Sequence, residues 1–421
     1  MLLLTNPSCI PRETEIEMRN SRRPSLVAIS AFVLVLHLGA VMLRSGQTPL
    51  IDEGYHFDQI GRFLSGNWTL NLELSLVPGF HFLIFLITKL FGISDFSSVR
   101  IISFLLSFAS VPIFYLAAKH IDPQNVIPKT AQFAFLPIVF PFFSLVYSDV
   151  FSLTLLLLSL LFSLKDKPTL SALIGIFSLA VRQTNIVWFV FILILSYVNR
   201  KGFAFSLKNI VNFLLSHFMF LVGIILFGEF AYLNQGIVTG ARIMQPSGGF
   251  FPSNIYFLLF LFTPLFLPFV IGNFTKILLF VQKKKSLLIP IIVVVYFFYM
   301  ATFTNSHPWN HYTFFLRNKL LILFTSNVLY KTIFFAVMVI SLLSLAVTKL
   351  YKKSFYLFYP ATLLFLAPLW LVEQRYFFVP LTFFLLFKNA SNIKVEWIAF
   401  VYFVVMSLIF YVGILRLWFF L

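Results

Sequence analysis

Apolar residues in this chain fall in long runs divided by short polar segments, rather than in stripes of helical or strand period. The runs lie at 26–43, 98–118, 131–147, 149–164, 169–182, 184–198, 209–232, 254–276, 286–304, 327–348, 354–371, 376–388 and 396–418. A helix that crosses a bilayer needs about 20 apolar residues, fewer where other helices enclose it. The pattern predicts an all-α fold, a polytopic transmembrane bundle of about 11–13 spanning helices. A further run, 76–92 ("LVPGFHFLIFLITKLFG"), holds Pro78, Gly79 and His81 and makes a poor spanning helix.

Composition narrows the class. Of 421 residues, 60% are hydrophobic and only 11% charged, with 58 phenylalanines, and the mean hydropathy is +0.95. No soluble domain buries that much apolar surface, so membrane lipid is the solvent for much of the chain. The net charge of +17 does not indicate nucleic acid, because Lys and Arg sit in short clusters between apolar runs, as loop charges do. Cys9 is the single cysteine, which leaves no disulfide framework and no thiolate metal site. The first run follows Arg19, Arg22 and Arg23 and exits through "LRSGQ", without a small-residue cleavage site, so it reads as a retained helix.

Basic residues decide the sides, since cytosolic loops are enriched in Lys and Arg. Place the tail on the cytosolic side and let 76–92 lie in the interface. Every later cluster then falls on that same side: Lys119 and Lys129, Lys165 and Lys167, Arg200, Lys201 and Lys208, Lys283 to Lys285, Lys349, Lys352 and Lys353, Lys388 and Lys394. A crossing at 76–92 would reverse them all. The chain therefore divides into a cytosolic tail, 1–24, and one transmembrane domain, 25–421, whose first non-cytosolic loop, 44–97, carries juxtamembrane helices. No internal repeat is visible.

The opposite loops gather ionisable residues at the membrane boundary, where they are costly and point to function. Adjacent Asp52 and Glu53, in "PLIDEGYHFDQIGRF", must point in different directions, so one can face a cavity while the other caps a helix or pairs with a cation. A carboxylate beside a dry cavity suits general-base work, whereas the plain alternative is a helix cap. Arg182, Gln183 and Asn185 lie in "VRQTN"; an arginine there needs a phosphate or carboxylate, or a structural partner such as Asp149. His307, His311, Tyr312 and Arg317 lie in "NSHPWNHYTFFLRNK", where Pro308 disfavours a metal-binding helix face and phosphate or sugar contacts fit better. Glu373 and Arg375, in "LVEQRYF", read either as an internal pair or as a headgroup contact. The glycines around Arg242 match no nucleotide-binding loop, and Asn67-Trp68-Thr69 is a weak glycosylation sequon.

Taken in order, "IDEGYHFDQ", "LVPGFHFL", "VRQTNIVWFVF", "NQGIVTGAR", "HYTFFLRNK" and "LVEQRYFFVP" resemble the dolichyl-phosphate-glucose-dependent α-1,2-glucosyltransferases. The likeness runs from about Pro49 to Pro380. It implies a GT-C-type bundle that moves glucose, with inversion, from dolichyl phosphate glucose to a lipid-linked oligosaccharide in N-glycosylation. It also implies an endoplasmic reticulum membrane with a lumenal active site, or a plasma membrane in a prokaryotic relative. No metal or other cofactor is implied. An acidic residue of the first lumenal loop is essential in such enzymes; by position this is Asp52, with Glu53 the alternate. Arg182, His311, Arg317 and Arg375 match family motifs and would neutralise the phosphate, with Gln183, Asn185, His307, Tyr312 and Glu373 among the donor contacts. Departures are the short basic loop at 199–208, the short "HPWN", and "IDE" and "YH" in place of "MDE" and "FH". Two other classes remain: a transporter or scramblase of a polyprenyl-phosphate-linked sugar, which predicts internal pseudo-symmetry, and an assembly subunit, which needs no acidic pair.

Overall fold

The computed structural model describes residues 12–240, 249–390 and 392–421, with side chains from Val27 onward. Cys9, Arg242, Gly248 and the side chains of Arg19, Arg22 and Arg23 lie outside the described residues. The chain opens on α1 (Arg12–Ser45), then forms α2 (Glu53–Leu64), α3 (Gly79–Phe91), α4 (Phe96–Phe108), α5 (Ser110–Ile121) and α6 (Val126–Ala134). Next come α7 (Ser148–Leu164), α8 (Pro168–Val181), α9 (Ile186–Lys201), α10 (Leu207–Ser216) and α11 (Phe218–Leu233). The rest is α12 (Ser253–Leu265), α13 (Leu267–Gly272), α14 (Phe274–Thr302), α15 (Leu316–Thr325), α16 (Val328–Val347), α17 (Phe358–Leu366), α18 (Phe378–Phe387) and α19 (Ile393–Leu415). Among the described residues there are no strands, only isolated bridges of Phe315 with Phe420 and Leu350 with Lys388.

The fold is the all-α, multi-pass bundle that the apolar runs predict. Among the described residues, five segments are long and apolar enough to cross alone: Val27–Ser45, Phe96–Ile121, Phe274–Thr302, Val328–Val347 and Ile393–Leu415. The pair α10 and α11 is long and apolar enough only when taken together, and an 83° bend divides it, the geometry of a broken span or of a re-entrant loop. Large apolar side chains such as Val294 and Phe297 of α14 are exposed, a surface that suits lipid and not water. Other runs are shorter as helices than as sequence. The run 131–147 is divided between α6 and a 3-10 turn at Phe140–Ser144, and every residue in it is buried. Pro137 and Pro141 lack the amide hydrogens that a continuous helix would need. In α18, ten residues long, every side chain is buried. Such segments pack against protein, not lipid, so the length of the bilayer does not govern them. The 13 residues of α3 reach about 20 Å, short of the ~30 Å hydrocarbon core.

Helix direction brings the opposite-side loops together. The first turn of α7, the last of α8, the first of α9 and the first of α18 meet at one end of the bundle. Their other ends carry Lys165, Lys167, Arg200, Lys201 and Lys388. Two lysines expected as loop charges are internal. Lys129 is buried 3.0 Å from Asp122 and donates to the Lys388 carbonyl at 2.6 Å. Lys388 in turn pairs with Glu396 at 2.7 Å. These bonds tie α6, α18 and α19 at the end away from the polar loops.

The polar end is held by Glu53, which is 0% exposed. Its carboxylate accepts from Arg100 Nε at 3.0 Å and Nη2 at 2.8 Å, and from Arg44 Nη2 at 3.1 Å. It also accepts the backbone amides of Leu50 and Val146, each at 2.9 Å. One side chain thus joins the end of α1, the start of α2, α4 and the buried loop before α7. Removing it leaves two buried guanidinium groups without their carboxylate, which costs about 3–5 kcal/mol. A Glu53→Leu variant in detergent is expected to melt well below wild type, and a Glu53→Gln variant in between; an unchanged melting temperature in both would refute the clamp.

Candidate active site

Asp52 stands immediately before α2, at the N-cap position, and its side chain makes no cap. One step along the backbone, Glu53 points into the bundle, so Asp52 faces the other way. The turn that achieves this puts Ile51 at φ +52°, a left-handed conformation that a β-branched residue adopts only at a cost of about 1–3 kcal/mol. The Glu53 clamp on one side and the bond from the Asp52 amide to the Tyr147 hydroxyl, 3.1 Å, on the other hold it there.

Asp52 opens onto a cavity of about 500 Å³ whose walls come from several separate stretches of chain. Arg375, in the 3-10 turn Gln374–Phe377, is its hub. Its guanidinium lies 3.0 Å from Asp52, 3.3 Å from Glu373 and 3.9 Å from Asp149. It also sits over the Tyr147 ring at 5.2 Å. Arg182, at the C-terminus of α8, pairs with Asp149 in the first turn of α7. Arg317, in the first turn of α15, pairs with Glu373 at 2.7 Å and donates to Gln374 at 3.1 Å and to the Leu421 carbonyl. Three arginines and three carboxylates therefore alternate across one surface. Burial works against the Arg375 charge, but Glu373, Asp52 and Asp149 outweigh it and hold the pKa well above the ordinary arginine value. Burial lowers Arg317, with Glu373 opposing. Asp52 is the open carboxylate of the set, with its side chain 30% exposed against 3% for Asp149 and 1% for Glu373.

The structure brings Asp52, Arg182, Gln183, Tyr312, Arg317, Glu373 and Arg375 to this cavity. Gln183 also ties the first loop to the site, donating to the Ser75 carbonyl at 2.7 Å and accepting from the Val77 amide at 3.2 Å. Other candidates lie elsewhere. Glu53 is the internal clamp. Asn185 is buried, bonded to Ser152 at 2.8 Å and Ser178 at 3.0 Å. His307 is buried beside Trp370 at 4.5 Å and accepts from the Trp309 amide at 3.1 Å. His311 is exposed and does not line the cavity. The bland alternatives for Arg182 and Arg375 prove true as pairings, to Asp149 and Glu373, yet both pairs form the cavity wall. Tyr147, Trp370 and Phe420 line the cavity without having been singled out, and His56 and Trp309 join them from within the motifs around Asp52 and Tyr312. "YSD" did mark the neighbourhood of Tyr147. Phe420 carried no signal, because it lies past an apolar helix; it enters by pairing with the strand-like segment at Phe314–Leu316, with bonds of 3.1 and 2.6 Å.

His56 and His81 sit behind Asp52 with ring nitrogens 2.7 Å apart. Burial, with Arg375 and Arg182 adding to it, lowers His56 to about 3, and burial lowers His81 well below its usual value. Both are neutral in the folded protein at pH 7. As pH falls through about 6.5, the unfolded chain takes up protons there and the folded chain does not. Their contribution to stability is therefore present above that pH and lost below it. Melting temperatures in detergent should fall from pH 7 to pH 5, before most carboxylates titrate, and fall less in His56→Gln; equal slopes would contradict the assignment.

Comparison with known proteins adds to this geometry. The model of the DIE2/ALG10 family matches residues 46–204 and 199–386. A protein of Yarrowia lipolytica named Dol-P-Glc:Glc(2)Man(9)GlcNAc(2)-PP-Dol alpha-1,2-glucosyltransferase is 27% identical over 251 residues, 51% of this chain and 48% of that protein. The mouse protein of the same name is 25% identical, over 56% of this chain and 60% of its own length. A human one is 24% identical over 83% of this chain and 86% of its length. The match to the first two thus spans about half to three-fifths of those relatives. No solved structure matches the chain.

Proposed function

This chain belongs to the DIE2/ALG10 family, and from that premise we propose that it is an inverting glucosyltransferase of the endoplasmic reticulum membrane. It takes glucose from dolichyl phosphate glucose and places it in α-1,2 linkage on a lipid-linked oligosaccharide, the substrates named for its relatives. The observation that carries the reading is the convergence of one open carboxylate, Asp52, with Arg182, Arg317 and Arg375 on a single cavity. That cavity lies at the end of the bundle away from the basic loops, which the positive-inside rule makes lumenal.

In the reaction, Asp52 takes the proton of the acceptor's 2-hydroxyl. That oxygen attacks the anomeric carbon from the face opposite the phosphate, the glucosyl–phosphate bond breaks, and its electron pair leaves with dolichyl phosphate. The arginines stabilise the departing phosphate. Charge is conserved within the cavity: as the phosphate gains one negative charge, Asp52 loses one by protonation. The three arginine–carboxylate pairs therefore need not rearrange to absorb the change. Glu53, Gln183 and Tyr147 position Asp52 and the loop that carries it. No specific observation favours the transport alternative, since the charged groups converge at one end of the bundle.

The test is purified protein with a polyprenyl phosphate glucose and an acceptor glycolipid. Asp52→Asn should lose about 10²–10⁴-fold in kcat with little change in the donor KM. Arg182→Ala and Arg375→Ala should also raise the donor KM. Undiminished transfer by Asp52→Asn, or none by wild type, would defeat the proposal.

A further inference from the structure

Three asparagines in the chain begin an Asn-x-Ser/Thr triplet with no proline in the middle: Asn67, Asn273 and Asn389. The triplet alone does not choose among them, because carbohydrate is attached only at a surface loop on the lumenal side, where the asparagine amide can be reached. Asn273 is buried and donates to Thr348 Oγ1 at 3.0 Å, at the lysine-bearing end of the bundle. Asn389 follows Lys388 at that same end, its backbone amide bonded to the Lys349 carbonyl at 2.8 Å. Asn67 alone of the three stands in the first non-cytosolic loop, between α2 and α3.

The local structure presents its side chain. Helix α2 ends on Gly66, which takes φ +79°; the Gly66 amide donates to the Phe63 carbonyl at 3.1 Å and the Asn67 amide to the Arg62 carbonyl at 2.9 Å. Asn67 therefore falls just past the helix, within a stretch, 65–70, in which every residue is exposed. Trp68 turns aside, against Phe63 at 5.4 Å and Phe85 at 5.7 Å. Neighbouring residues of an extended segment point to opposite sides, so Asn67 and Thr69 share the other face. Asn67 Oδ1 accepts the Thr69 amide at 2.9 Å and the Thr69 hydroxyl at 2.8 Å. Its Nδ2 has no partner among the described residues. The threonine thus fixes the amide by its oxygen and leaves the nitrogen open.

We propose that Asn67 carries an N-linked oligosaccharide. This rests on the lumenal placement of the polar loops and not on glucosyl transfer by Asp52. The sugar comes from a lipid-linked oligosaccharide, held by a separate transferase. A bond forms from Nδ2 to the anomeric carbon, the sugar–phosphate bond breaks, and its electron pair leaves with the lipid pyrophosphate. One amide proton passes to a base of that transferase. Access exists before the loop folds: extended, the chain between Ser45 and Asn67 spans about 70 Å, which carries the triplet well clear of the bilayer. In the folded protein the sugar keeps the tip of the loop in water, with Trp68 beside it at the membrane boundary, where indole rings are favoured.

For the test, the full chain is made in eukaryotic microsomes and digested with a peptide N-glycosidase. Wild type should show one mobility step on digestion. Asn67→Gln and Thr69→Ala should lose that step completely, whereas Asn273→Gln and Asn389→Gln should keep it. Wild type gives a second reading that depends on no variant's folding: digestion in oxygen-18 water should convert Asn67, and neither of the other two, to a labelled aspartate found by peptide mass. No step in wild type, a step that survives Asn67→Gln, or label at Asn273 or Asn389 overturns the proposal. A protein modified at Asn67 that transfers no glucose removes only the catalytic reading. An active protein with Asn67 unmodified removes only the modification.

Discussion

Two arginines, Arg44 and Arg100, are buried at 2% and 0% exposure at the polar end of the bundle, and Glu53 is the carboxylate between them. Charges in such a place are tolerated only when paired and fully hydrogen-bonded. Satisfying them draws together four parts of the chain: the end of α1, the start of α2, α4, and the loop that delivers Val146 and Tyr147. Because Glu53 is committed inward, the preceding side chain has to face outward. The strained turn at Ile51 and the exposure of Asp52 both follow from that commitment.

From Asp52 the arrangement continues as alternating charge. Arg375 touches three carboxylates, Arg182 shares Asp149 with it, and Arg317 shares Glu373 with it. Because most of these groups are buried from water, each pair protects the next from uncompensated burial. The same pairs keep the guanidinium groups pointed at one space, and that is the arrangement a phosphate requires. Packing of aromatic rings supplies the rigid wall behind them: Tyr147 contacts Phe142 at 5.4 Å and Phe420 at 6.3 Å.

Much of this was legible beforehand. Long apolar runs imply helices in lipid, because no other solvent tolerates them, and the clustering of Lys and Arg implies which loops share a face. The pair Asp52 and Glu53 had to divide between two directions, since neighbouring positions on a helix diverge. The motifs around Arg182, Arg317 and Arg375 carried a family resemblance that the family match bears out. Histidine was the poorer guide. His307 and His311 stood in a motif as dense as that of Arg317, yet one is packed under Trp370 and the other faces outward.

What the sequence by itself determined is therefore the helical membrane class, the common face of the polar loops, and the residue types available there. These depend on hydrophobic length and local charge, which are properties of short stretches. Which of Asp52 and Glu53 faces the cavity, that Lys129 and Lys388 are internal, that 131–147 is broken and enclosed, and that Phe420 returns to the site were decided only in three dimensions. Each depends on partners tens to hundreds of residues away, such as Arg100 for Glu53 and Glu396 for Gln132. No local pattern encodes such pairings; they form because a buried charge or amide must find its complement wherever the fold brings one.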